Sequence, residues 1–268
     1  MSGARVPVVD GATRIYGIIG DPIAQVRSPV VFNEKFRALG KNAVMIPLHA
    51  KPETFDECMR GLKSLTNLDG ILVTLPFKNR VSSHVDIVLP AAKRIGAINA
   101  LRREADGKWS GDMFDGKGFL GGLQSNGLDP NGLSIMLIGA GGAGSAIADA
   151  LAEAGASAIT IFDLNEKKSE ALGRQLVQSH PKCKALKGSP TVEGIDVVVN
   201  ATPVGMASDD GLPVRLGSLH KNLFVADIVQ RPDTALMALA KKSGCRTMSG
   251  QAMVTGQADA ILRFFGLA

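Results

Sequence analysis

The run Gly139-Ala140-Gly141-Gly142-Ala143-Gly144 constrains this chain more than any other stretch of it. It is a full G-x-G-x-x-G, and its surroundings give it meaning. The apolar segment SIMLI precedes it and the helix-forming run SAIADALAEAG comes after it. A second apolar segment, AITIF, ends at Asp163, 19 residues past Gly144. A strand, a glycine turn, a helix and a second strand ending in a carboxylate form the dinucleotide-binding fingerprint. One glycine makes the tight turn, one lets backbone approach a pyrophosphate, and one lets helix pack closely on strand. The phosphates then rest on N–H groups at a helix N-terminus, where the dipole favours negative charge. All six residues from Gly139 to Gly144 are therefore cofactor candidates, and Asp163 joins them as the partner of the adenosine ribose. A carboxylate there accepts both ribose hydroxyls and repels a 2′-phosphate, so NAD is favoured. NADP stays open, because Lys167 and Lys168 are close by in the chain.

The same alternation runs through the whole chain. Strands are expected over 14–19, 42–48 and 70–74, with helices over 28–39 and 52–64 between them. Ser28 is the expected N-cap of the first helix, with Pro29 after it. Residues 99–103 and 108–110 flank Ala105-Asp106-Gly107 and read as a hairpin. From residue 115 the pattern restarts, with helices over 115–125, 143–154, 166–178 and 234–242 and a last one from about 252 to 265. Strands are expected over 134–138, 158–162, 195–199 and 223–226. Repeated βα units call for parallel sheets with right-handed crossovers. The fold class is α/β with two domains, a substrate domain over 1–114 completed by 251–268 and a Rossmann-type domain over 115–250.

Composition narrows the function classes. The chain is 45% hydrophobic and 21% charged, with 31 glycines and only 4% aromatics. That is the profile of a globular α/β protein with buried parallel strands, and it disfavours an aromatic-rich nucleic-acid reader. The net charge of +5 is spread without a basic run, which fits a small anionic ligand and not nucleic acid. Cys58, Cys183 and Cys245 stand far apart without a Cys-x-x-Cys, pointing to a reducing compartment and no metal site. No stretch of 18 apolar residues or signal-like N-terminus occurs, so no membrane is expected and a cytoplasmic location is. The sequence leaves a homodimer open.

Two further residues carry chemistry. Gly70-Ile71-Leu72-Val73-Thr74-Leu75-Pro76-Phe77-Lys78 puts a lysine just past a buried strand, the end at which α/β sheets bind ligands. Gly111-Asp112-Met113-Phe114-Asp115-Gly116-Lys117-Gly118 puts a carboxylate at the expected domain junction. A lysine and a carboxylate meeting near a dinucleotide can form a proton-transfer pair.

Together these motifs resemble those of the shikimate dehydrogenase family, which includes quinate dehydrogenases. Residues 20–29 (GDPIAQVRSP) are similar to its G-x-P-I-x-H-S-x-S-P, and 70–78 to its G-x-N-V-T-x-P-[YF]-K. Residues 96–100 (GAINA) and 111–118 echo G-A-[VI]-N-T and G-x-N-T-D-x-x-G. Residues 200–206 (NATPVGM) and the spacing of Gly250 and Gln257 complete the set. The resemblance implies hydride transfer between a nicotinamide and a ring hydroxyl of shikimate, quinate or a related small hydroxy acid or polyol. It implies Lys78 and Asp115 as the proton-transfer pair, with Ser28, Thr74, Asn99 and Gln257 around the polyol. Thr202, Ile228 and Gly250 are implied near the cofactor.

The departures fall on the substrate side. Gln25 and Val26 replace the histidine and first serine of H-S-x-S, Leu72 replaces an asparagine, and Met113-Phe114 replace N-T. Gln230 stands where the family has a tyrosine that helps to hold the substrate carboxylate, and it joins the substrate candidates. Each lost charge-assisted hydrogen bond is worth ~1.5–3 kcal/mol. Two such losses predict a kcat/KM for shikimate lower by ~10²–10⁴, and the alternative is that Gln230 and Arg27, the latter with a bidentate grip, recover the carboxylate contacts. The competing class is a non-catalytic NAD(P)-binding sensor of the same fold, although a pure binder needs neither Lys78 nor Asp115.

Overall fold

The computed structural model describes residues 9–231 and 233–268. It divides into two units, Met1–Phe114 with Ala258–Ala268, and Asp115–Gln257. In the first, β1 (Arg14–Gly20), α1 (Ser28–Ala38), β2 (Ala43–His49), α2 (Phe55–Ser64) and β3 (Leu68–Val73) alternate. A short 3-10 turn at Arg80–His84, β4 (Ile87–Val88) and α3 (Pro90–Ile95) lead to β5 (Ala100–Arg103) and β6 (Trp109–Asp112). The sheet order is β2-β1-β3-β5-β6-β4. Strands β1, β2 and β3 are parallel, and the β5–β6 hairpin adds antiparallel to β3.

The second unit runs α4 (Asp115–Ser125), β7 (Ser134–Ile138), α5 (Gly142–Glu153), β8 (Ala158–Phe162), α6 (Glu166–Ser179) and β9 (Lys184–Lys187). It continues with β10 (Val197–Asn200), β11 (Phe224–Asp227), α7 (Ala235–Lys242), β12 (Arg246–Ser249) and α8 (Gly250–Phe264). All six strands are parallel, in the order β12-β11-β10-β7-β8-β9. This is the doubly wound Rossmann-type arrangement, whose strand order reverses between β7 and β10. The two-residue period of the strands builds both faces of its core. Ile135 and Leu137 join one apolar cluster with Val197, Val199 and Phe224, while Met136 and Ile138 join another with Val198 and Val225.

The structure departs from the sequence reading at particular points. Ser28 is the first helical residue of α1 and is buried, while Arg27 takes the cap position without a side-chain capping bond. Strands β4, β9 and β12 are additions to the expected set. Each is four residues or fewer at the rim of its sheet, too short and too exposed for a hydrophobic pattern to mark it. The return of the chain to the first unit begins inside α8, at Ala258 and not at 251. Its earlier turns pack on α4 through glycine. A Cβ on Gly118 would stand 2.6 Å from the Met253 carbonyl oxygen, and one on Gly256 2.5 Å from that of Gly118. Among the described residues no helix is long and apolar enough to cross a membrane. Nor does any group of three or more His, Cys, Asp or Glu among them stand where it could hold a metal ion. All three cysteines are free thiols.

This helix contact is testable. Gly118→Ala and Gly256→Ala force backbone apart and should destabilise by about 1–3 kcal/mol each. Gly61→Ala in α2 and Gly173→Ala in α6 meet nothing within 4 Å and should stabilise by about 0.5–1 kcal/mol. Urea unfolding of the four variants checks the contrast.

Candidate functional site

The glycine turn joins the end of β7 to the start of α5. Gly139 has φ +102°, a conformation that side chains other than glycine's rarely adopt, and its N–H donates to the Phe162 carbonyl at 2.7 Å. A Cβ on Gly144 would stand 2.0 Å from the Gly139 carbonyl oxygen, so the first turn of α5 lies directly on the loop. At Gly141, which caps α5, nothing lies within 4 Å of where a Cβ would be. The first turn of a helix leaves its N–H groups without intrahelical acceptors, here those around Gly142 and Ala143. A bare backbone edge with aligned donors fits a pyrophosphate.

Asp163 comes directly after β8 and has a structural task as well. Its Oδ2 accepts the Ala140 N–H at 2.7 Å, and its Oδ1 accepts the Asn165 N–H at 2.8 Å. It thus ties the glycine loop to the start of α6, where Asn165 caps the helix by accepting from Lys167 N–H. Each carboxylate oxygen retains further acceptor capacity.

The other cofactor candidates of this unit lie beside the loop. A Cβ on Gly139 would meet the Ala201 carbonyl and Thr202 Cγ2, both at 2.9 Å, so the turns after β7 and β10 touch at the point of strand reversal. Asn200, wholly buried at the end of β10, organises the turns after β10 and β11. Its Oδ1 accepts from Thr202 Oγ1 at 2.7 Å and from Thr202 N–H at 3.0 Å, and its Nδ2 donates to Asp227 Oδ1 at 3.0 Å. Its carbonyl accepts the Ile228 N–H at 3.1 Å. Asp227 also accepts from Val229 N–H at 3.0 Å and Thr234 Oγ1 at 2.7 Å. Gly250 closes the group, since a Cβ there would stand 2.1 Å from the Ile228 carbonyl oxygen. Gly139–Gly144, Asp163, Thr202, Ile228 and Gly250 thus surround the carboxyl ends of β7, β8, β10 and β11. Sequence reasoning counts Asn200 only as the opening of the NATPVGM motif and gives neither it nor Asp227 a role. Their signal is a polar residue ending an otherwise apolar strand, VVVN and FVAD.

Ser28, Thr74, Lys78 and Asn99 belong to the first unit. Thr74 N–H donates to the Ile19 carbonyl at 2.9 Å, tying the end of β3 to β1. Two contacts fix the backbone at Lys78. Its carbonyl accepts the Ile98 N–H at 2.7 Å, and the neighbouring Phe77 ring stacks on Phe55 of α2 at 4.1 Å. Asn99 is buried beside it, its carbonyl accepting the Val73 N–H at 2.8 Å and its Oδ1 the Phe114 N–H at 2.8 Å. Asp115, Gln230 and Gln257 belong to the second unit. Asp115 is buried as the first residue of α4, Gln257 is buried in α8 against Gly118, and half-buried Gln230 lies just past β11. Of the substrate-side departures, Val26, Leu72 and Phe114 share one apolar cluster of the first unit with Phe32, Phe36 and Ile261, and Met113 is buried as well.

Residues 18–101 match the family described as shikimate dehydrogenase substrate binding domain, and residues 124–207 match shikimate / quinate 5-dehydrogenase. A shikimate dehydrogenase (NADP(+)) of Rubrobacter xylanophilus is 37% identical over 257 residues, covering 94% of this chain and 90% of that protein. A 5-ketofructose reductase of Gluconobacter, in ligand-free form, superposes with a TM-score of 0.81 at 30% identity, covering 94% of this chain and 92% of the other. A shikimate 5-dehydrogenase from Listeria monocytogenes, in complex with shikimate and NAD, gives 0.84 at 28% identity, covering 97% and 94%.

The buried carboxyl of Asp227 makes a pH prediction. Burial pushes it above its ordinary 3.8, against the lowering effect of Thr234, Val229 and Asn200. The folded state then holds this proton to higher pH than the unfolded chain does. The stability it contributes is complete below 3.8 and is lost as pH rises through the folded value. Asp227→Asn does not titrate, so the melting temperature of the variant minus that of the parent should rise with pH from about 4 upward and then level. Thermal melts across that range check it, and a difference that falls with pH contradicts it.

Proposed function

This chain belongs to the shikimate dehydrogenase family of oxidoreductases acting on CH–OH groups, and on that footing we propose that it transfers hydride between NAD and a ring hydroxyl of a small cyclic hydroxy compound other than shikimate. A nicotinamide, when bound, supplies the hydride acceptor or donor. Gly139–Gly144 hold its pyrophosphate against the first turn of α5, and Thr202, Ile228 and Gly250 border the rest of it. Asp163 receives the adenosine ribose hydroxyls. A 2′-phosphate would bring a second negative charge against that carboxylate, which supports NAD over the NADP named for the Rubrobacter relative.

Lys78 and Asp115 are the proton-transfer pair. As the hydroxyl is oxidised they take its proton, and as the ketone is reduced they return it to the same oxygen. Ser28, Thr74, Asn99, Gln230 and Gln257 line the substrate. What carries the substrate reading is the apolar cluster of Val26, Leu72 and Phe114, in which positions that are polar in the family have become packing surface. A charged carboxylate set against that surface would lose hydrogen bonds that a less polar ring compound does not need. The 5-ketofructose reductase supports a changed substrate on this fold.

Steady-state assay of shikimate, quinate and neutral cyclic polyols with NAD and NADP tests both parts. Shikimate should turn over ~10²–10⁴ less efficiently than the preferred compound, and NAD should be favoured over NADP by about tenfold or more. A kcat/KM for shikimate near ~10⁵ M⁻¹s⁻¹ overturns the substrate reading. A tenfold preference for NADP reverses the cofactor. Lys78→Ala should lower kcat by ~10²–10⁴ while NAD binding, monitored by fluorescence titration, persists. Activity surviving that change removes the role given to Lys78.

A further inference from the structure

Beside Asp163 the second unit holds a cleft of about 570 Å3 at the carboxyl ends of β8 and β9. Asp163, Leu164, Glu166, Ser169 and Lys187 line it, and Lys187 is the one cation among its lining residues. Because Asp163 also accepts the Ala140 N–H, the cleft adjoins the glycine loop directly. The sugar of a dinucleotide seated on that loop therefore meets this cleft.

Lys187 ends β9, the rim strand of the sheet, and pairs in register with Ile161 of β8. An ammonium in such a place is an ordinary phosphate binder. Here it is held by two carboxylates instead, since its Nζ lies 2.9 Å from Glu166 Oε2 and 2.9 Å from Glu170 Oε1. The two glutamates are one turn apart on α6 and so present to the same side. They raise the Lys187 pKa above its ordinary value, and the lysine lowers that of Glu170. The charges lining the cleft are then two carboxylates and a single neutralised cation.

We propose that Glu166 and Glu170 lock Lys187 and so set the cofactor specificity of the cleft, refusing a ribose that carries a 2′-phosphate. This rests on the adenosine ribose lying at Asp163, as proposed for the function, and adds residues to that assignment. Asp163 alone repels a phosphate. The lock explains why a cation at the same cleft does not reverse that effect. Unlocked, Lys187 is available to a 2′-phosphate.

The experiment is fluorescence or calorimetric titration of the full chain with NAD and with NADP, read as the ratio Kd(NADP)/Kd(NAD). The parent protein should have a ratio above one. Glu166→Gln/Glu170→Gln should lower it by about tenfold, or ~1.4 kcal/mol, and adding Lys187→Gln should restore it. Glu170→Gln alone, outside the cleft lining, should lower it by about threefold and serves where the multiple variants fail to fold. An unmoved ratio in the glutamate variants of an NAD-preferring parent overturns the lock and leaves the NAD reading standing. A gain that persists without Lys187 also overturns it, because the effect would then be lost repulsion alone. A parent that binds NADP more tightly overturns the NAD reading itself, and the lock with it.

Discussion

The carbonyl of Gly139 pressed against the backbone of Gly144 is the contact from which the second unit is organised. With the chain this close, α5 starts directly over the end of β7, and its free N–H groups gather at one edge of the sheet. Neither position tolerates a side chain, because one needs a positive φ and the other has a carbonyl oxygen where the Cβ would be. The neighbouring turns are fitted to this one. Asp163 reaches the loop from β8, and Ala201 and Thr202 touch it from β10.

Buried polar groups carry that arrangement further along the sheet. Asn200 and Asp227 are paired in register on adjacent strands and bond to one another. Between them they hold the turns that bear Thr202 and Ile228, and Thr234 extends the network to the start of α7. The network is saturated with hydrogen bonds, as a buried carboxyl requires. The first unit fixes its own loops by simpler means. Backbone hydrogen bonds cross from Ile98 to Lys78 and from Val73 to Asn99, and the Phe55–Phe77 stack anchors the segment between them.

Much of this is legible in the sequence. The glycine run between two apolar strands, and the helix after it, are local signals, and α4, β7 and β8 have the expected bounds. The hairpin around Ala105-Asp106-Gly107 is legible for the same reason, since a turn residue with polar neighbours declares itself. Strands β9 and β12 are not, because KALK and RTMS carry too little apolar pattern and owe their form to the neighbouring strand. Ser28 reads as a cap from its type and its place before a proline, yet the helix begins one residue earlier and turns it inward. Of the candidate site, the motif glycines, Asp163, Lys78 and Asp115 are candidates that the sequence offers on its own. The roles of Asn200, Asp227, Glu170 and Lys187 are not legible there.

The sequence by itself determined the α/β class, the dinucleotide loop and the family, because each rests on residues close in the chain or on motifs in fixed order. Tertiary structure decided which side chains share a charge or a hydrogen bond across strands. Asp163 can be read as a ribose partner from its position, but only the fold ties it to Ala140. Lys187 lies 21 residues from Glu166, and no spacing rule joins them until β9 pairs with β8 and α6 packs beside both. Likewise Val26, Leu72 and Phe114 are scattered replacements in the sequence, and one apolar cluster in the fold. Charge and packing act over a few ångströms, and only the folded chain sets which residues come within that reach.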